Sequence, residues 1–273
     1  MAPGLPEPAL RRVRRQRESG TWNSDLSVTE LAAIHSVGFE PAGQVTGSAV
    51  YRIALQGLPA CGTAPPGHPM VTELAAYGRA LHDVRRLALD RMTREAVELG
   101  SHGVTGVRLT VRKFAHAMNA VEFTAIGTAV RRHGADPLPA PFLSALDGSE
   151  LAKLLRAGMV PCRMAIGLAA VHVHTTKLWE ETSRRADVAR TDLSVAAAGV
   201  RSLAMARLVA EARAAGADGC VGSRLHLDVW PVPCGLRSDH DHVLQFTAVA
   251  TAVIRFDTPL RRSPELVVSL DDR

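Results

Sequence analysis

Two short stretches of this sequence carry residue types that could hold a metal ion. His172-Val-His174 lies in an apolar run of strand character, where alternation turns both imidazoles to one face. The stretch from Cys234 to His242 carries Cys234, Asp239, His240, Asp241 and His242, soft and borderline donors close together in what reads as a hairpin loop. A transition metal such as zinc would suit these donors. A structural zinc site, however, takes four converging ligands, usually as closely spaced pairs, and the chain has no Cys-x-x-Cys. The plainer expectation is a polar loop tip at Asp239 to His242 and a sheet-face contact between subunits at His172 and His174.

Other chemistry is thinner. Cys220 follows the turn Gly216-Ala-Asp218 and reads as a small buried hydrophobe. Glu95 and Glu211 each follow an arginine by four residues, Arg91 and Arg207, which is the helical spacing of a surface ion pair. No Gly-x-Ser-x-Gly elbow occurs, and no nucleophile, base and orienting group fall into a pattern, so the expectation is a protein without catalytic activity.

The elements that would position these residues occur twice. Thr29–Tyr51 aligns on Ser149–Val171, Val84–Leu109 on Val200–Leu225, and Glu122–Val130 on Gln245–Val253; seven of 23, twelve of 26 and six of nine positions are identical, which makes an internal duplication the frame for the whole chain. Each copy opens with a short helix (Val28–Ser36; Gly148–Ala157), ended by Gly38 or Gly158. A strand follows (Gln44–Leu55; Arg163–Thr175), with Gly47 or Gly167 marking a bulge or a close backbone approach. The long helix is clearest in copy one, Thr72–Leu99, where Leu74, Tyr77, Leu81, Val84, Ala88, Met92, Ala96 and Leu99 form one apolar stripe. Two strands close each copy: Val104–Lys113 with Ala120–Arg131, and Leu225–Val229 with Val243–Phe256. Gly100, Gly103 and Gly106, like Gly216, Gly219 and Gly222, stand where the helix must end and turn tightly into a strand. They sit at a helix end and not at its start, so they make no phosphate cradle.

The predicted fold class is α+β: two tandem β-α-β-β repeats, each a three-stranded, mostly antiparallel sheet covered by one long helix. Such a sheet leaves an apolar face and open edges, which pairing of copies or subunits must cover. The expected organisation is a basic, partly disordered tail over 1–27, repeat one over 28–132, a stiff Pro-rich linker over 133–142, repeat two over 143–257 and a C-terminal tail over 258–273.

The segment from Gly100 through Ser-His-Gly-Val-Thr to Gly106, leading to Phe123-Thr-Ala-Ile-Gly-Thr-Ala-Val130, resembles the YbjQ-like heavy-metal-binding domain family, whose motif reads approximately Gly-Ala-Asp-Ala-Val-Val-Gly and ends on a Gly-Thr-Ala-Val strand. The second copy reads Gly216-Ala-Asp-Gly-Cys-Val-Gly222. Val45-Thr-Gly47 and Ala76-Tyr77 also look like the family, whereas copy two has Ile166-Gly167, no matching tyrosine, and Ala250 in place of the terminal glycine. The resemblance implies a dodecin-like β-α-β-β fold and a ring-like homo-oligomer, commonly a pentamer. It implies no activity.

Composition bounds the rest. The net charge of +5 hints at nucleic acid, but only Lys113, Lys153 and Lys177 are lysines and only 4% of residues are aromatic, so arginine reflects coding bias and stacking platforms are scarce. The one basic run, Arg11 to Arg17, is expected to be solvated, with contact to nucleic acid or an acidic partner as the minor alternative. Runs such as Met164 to Val173 are short for a membrane span, no apolar leader follows the N-terminus, and four scattered cysteines make no disulfide framework, so the expectation is a cytoplasmic protein. The functional expectation is a closed homo-oligomeric ring or cage; the alternative is a metal or small-ligand binder using the His and Cys residues of copy two.

Overall fold

A computed structural model describes residues 5–52, 70–113, 120–174, 191–233 and 240–256. The chain is α+β, with five helices and two four-stranded sheets among the described residues. Helix α1 (Glu7–Ser19) and helix α2 (Val28–His35) precede strand β1 (Phe39–Arg52), β2 (Met70–Glu73), α3 (Ala75–Glu98), β3 (Gly103–Lys113) and β4 (Ala120–Arg132). Then come β5 (Phe142–Leu143), α4 (Gly148–Arg156), β6 (Met159–His174), α5 (Thr191–Ala214), β7 (Gly219–Pro233) and β8 (His240–Arg255). Both short helices start on capping boxes: Ser27 with Glu30 and Asp147 with Glu150 satisfy first-turn amides in return for one another.

Each sheet has one strand more than the repeat pattern predicts. The first runs β1-β4-β3-β5, the second β2-β6-β8-β7. β5 comes from the segment between the halves and lies parallel to β3; β2, just ahead of α3, crosses over and pairs antiparallel with the far end of β6. Open edge amides need partners, and these crossovers supply them within the chain. The residues Thr72 to Glu73, expected as helix, are therefore strand, and α3 begins at Ala75.

The second difference is larger. The predicted stripe on α3 is buried throughout, but α3 does not lie on one sheet with its back to solvent. Its core residues share a cluster with Val45, Ala49 and Phe123 of the first sheet and with Met164, Ile166 and Leu168 of the second, so the helix is sandwiched between the two. Leu89, off the stripe, is buried for the same reason. α5 covers the other face of the second sheet, burying Ala196, Val200, Ala204, Leu208 and Ala212 at intervals of four. By length and composition α5 is the one described helix long and apolar enough to cross a membrane, although Arg201, Arg207 and Glu211 keep it from being one apolar run.

Residues 7–19, expected as part of an irregular tail, form α1. Val13 is buried in the central core, and Arg12 reaches the backbone carbonyl of Gln44 and the carboxylate of Glu95. Arg11, Arg14, Arg15 and Arg17 remain exposed.

Candidate functional site

In the second sheet, alternation along β6 turns Ile166, Leu168, Ala170, His172 and His174 toward α3, and the intervening residues toward α5. His172 is 1% exposed because β2 pairs alongside it, Thr72 facing His172 in register. On the other flank Asp241 of β8 stands between the two imidazoles. His172 Nε2 lies 2.8 Å from one carboxylate oxygen and His174 Nδ1 lies 2.8 Å from the other. Asp241 is itself 1% exposed, so one buried carboxylate holds two rings in place. Nδ1 of His172 has no partner among the described residues.

The sequence thus places the two histidines on one face, as alternation predicts, but the residue that joins them is Asp241, which came from the other candidate stretch. Of the other members of that stretch, His242 does not join them. His242 faces Val173 in register, which turns it to the opposite side of the sheet. His240 begins β8, opposite Pro233, and Cys234 and Asp239 lie outside the described residues. Among the described residues, no group of three or more His, Cys, Asp and Glu side chains is arranged to hold a metal ion.

The glutamates expected in surface ion pairs do something else. Glu95 is 2% exposed and accepts the backbone amide of Thr46 at 2.7 Å, while Arg91 donates to the carbonyl of Ser48. In the second half Glu211 accepts the amide of Ile166 at 2.7 Å and Arg207 donates to the carbonyl of Leu168 at 2.9 Å. Each i,i+4 pair grips a strand edge that no neighbouring strand covers, one residue on the donor and one on the acceptor. Between those two grips sits a glycine. A Cβ at Gly47 would lie 2.0 Å from the carbonyl oxygen of Ala88, and one at Gly167 would lie 2.0 Å from that of Ala204, so the expected close approach is a helix pressed onto a strand. The register shifts of these strands lie elsewhere, at Pro41/Gly43 and Pro161/Arg163.

The turn glycines divide by role. Gly100 and Gly216 take left-handed backbones (φ 65° and 70°) just past α3 and α5, whereas Gly106 and Gly222 (φ 65° and 62°) sit at the bulges of β3 and β7. Gly103 is packed under the ring of Phe142, where a Cβ would meet ring carbons at 2.3 Å; Gly219 has open space. Cys162 and Cys220 are free thiols. Burial pushes the Cys220 thiol up from its ordinary value, with Cys162 and Glu211 acting in the same sense, so the site does not favour a reactive thiolate.

Sequence reasoning missed one site. Beside α3, between the β3/β4 side of the first sheet and the β7/β8 side of the second, lies a cavity of about 630 Å³. Tyr77 and Arg85 enter it from α3. The Tyr77 hydroxyl donates to Gln245 Oε1 at 3.1 Å, and burial pushes its phenol up to about 12, against the opposing influence of Arg85. Arg85 is 4% exposed; its Nη2 donates to Thr247 Oγ1 at 3.3 Å, its guanidinium lies 5.1 Å from the centre of the Phe123 ring, and burial pulls it down to about 10. An arginine beside the apolar stripe of α3 was the available signal, legible only once a second sheet is known to cover that face.

Comparison with known proteins adds two findings. Residues 69–133, which hold β2, α3, β3 and β4, match the family model described as "Putative heavy-metal-binding", the YbjQ-like family. The chain is also 31% identical over 258 residues, 92% of its own length and 92% of the relative's, to encapsulin nanocompartment protein Rv1762c of Mycobacterium tuberculosis.

Proposed function

This chain belongs to the family of that mycobacterial nanocompartment protein, and from that kinship we propose that it is a non-catalytic, self-associating component of a closed multi-chain assembly. The end-to-end likeness, which spans both halves of the chain, carries the proposal. The surface supports it. β7 forms an edge of the second sheet and presents Leu225, Leu227 and Val229 in a row, 49%, 39% and 47% exposed. A long edge with an apolar row is a template for pairing with another chain.

The finer parts of the proposal are that the two halves are tandem copies of one YbjQ-like unit, that the assembly closes as a ring or cage, with five chains the count the resemblance implies, and that it works in the cytoplasm. Recurrence of the glycine contact, the glutamate grip and the capping box in both halves supports the first. Light scattering and electron microscopy of the purified chain test the whole: particles of one size holding several chains are expected, and a monomer at every concentration overturns it. Leu227→Glu with Val229→Glu should shift the mass downward.

A second reading, metal or small-ligand binding through the second half, draws on the paired imidazoles at Asp241, a member of the Cys234 to His242 stretch. Near-stoichiometric zinc, copper or nickel in the same peak, lost in a His172→Ala, His174→Ala variant, would establish it. Absence of these metals from protein purified without chelator would exclude it.

A further inference from the structure

The cavity beside α3 combines a buried cation, a polar rim and an apolar wall. Nη1 of Arg85 is buried and has no hydrogen-bond partner among the described residues, while Nη2 is held by Thr247. Among the described residues no carboxylate lies within ion-pair distance of it: Asp228, the acidic residue of the lining, acts on it only from further off and lies 3.1 Å from His226 Nε2. Two further arginines line the same space, Arg108 paired with Asp25 and Arg224 donating to the carbonyl of Ala145. A buried guanidinium without a contacting counter-charge costs stability unless an anion completes it, and with Arg108 held by Asp25, Arg85 and Arg224 against Asp228 still leave the wall positive on balance. Beside Thr110, His226 and Gln245, the rest of the wall is largely apolar, with Leu81, Val107, Leu109, Phe123 and Met164. About 630 Å³ is within the range of small-molecule sites, and more than a lone inorganic ion needs.

We propose that this cavity binds a small amphipathic carboxylate, its head group taking Nη1 of Arg85 and its apolar body lying against Leu81, Val107, Leu109 and Phe123. Thr247 holds the guanidinium through Nη2 and leaves the donors of Nη1 for the head group; Tyr77, held by Gln245, lines the same space.

Isothermal titration calorimetry of the full chain with decanoate, decanol and decylamine at neutral pH tests it. Saturable binding of decanoate at one per chain is expected, with decanol weaker by about tenfold or more, the loss of a hydrogen bond to a charged partner, and decylamine not bound. Arg85→Met should bring decanoate down to the affinity of decanol and leave decanol unchanged. Equal affinity of decanoate and decanol for the unaltered protein would overturn the proposal, and so would the absence of saturable decanoate binding. Both of those results are read on the wild-type chain, so they stand even if the Arg85 variant does not fold.

Discussion

Glu95 on α3 accepts the backbone amide of Thr46 on β1 at 2.7 Å, joining a helix to the edge of the sheet it covers. Arg12 of α1 closes on the same carboxylate. Charge, an edge amide and the N-terminal helix thus meet at one buried oxygen. Glu95→Ala should destabilise the protein by about 1–3 kcal/mol, the cost of stranding a buried polar group, whereas Glu98→Ala on the exposed side of the same helix should stay within about 0.5 kcal/mol. Urea unfolding midpoints of the two variants decide the matter, and equal midpoints would refute the structural role of Glu95.

The glycines beneath the helices are the stricter requirement. At Gly47 and Gly167 the obstacle to a side chain is backbone oxygen at 2.0 Å, which no rotamer can relieve. Gly47→Ala and Gly167→Ala should each cost about 3 kcal/mol or more, because helix and strand must move apart. Gly219→Ala, with open space at the corresponding point, should cost far less. Thermal melting of the three variants gives the order directly.

Tyr77 supplies a pH signature. Its phenol is pushed up to about 12 by burial, above the ordinary value of 10, so its contribution to stability is fully present below pH 10 and is lost as the pH rises through about 12. The difference in absorbance at 295 nm between the wild type and Tyr77→Phe should therefore develop near pH 12. A difference centred on pH 10 would mean that the phenol is not buried in solution.

Asp241 holds both His172 and His174, so its removal should be worse than removal of either ring. Asp241→Ala should destabilise by about 3 kcal/mol, since it strands two ring nitrogens in a buried layer. His174→Ala should cost less, the ring being at the more open end. Overnight treatment with chelator should leave the melting temperature of the wild type unchanged; a fall of several degrees would instead give the metal reading its support.

Much of this was legible in the residues. The apolar stripe from Leu74 to Leu99, the alternation that puts His172 and His174 on one face and the turn glycines report local geometry, and local geometry follows from the spacing of side chains along one element. These features determined the α+β class, the helix and strand types and the faces on which His172 and His174 lie.

The tertiary structure decided what a single element cannot encode. Whether the back of α3 meets water or a second sheet depends on Met164, Ile166 and Leu168, about eighty residues beyond Arg85, and that choice turns Arg85 from a surface charge into a buried one. The crossing of β2 to the second sheet, which buries His172, follows from an edge left open there. Glu95 and Glu211 carry helical spacing suited to a surface pair, yet edge amides at Thr46 and Ile166 claim them, because an unpaired backbone donor in a covered layer costs more than a solvated ion pair returns. Spacing in sequence specifies one face of each element; which element comes to cover the other face is fixed only when the whole chain has satisfied its edges.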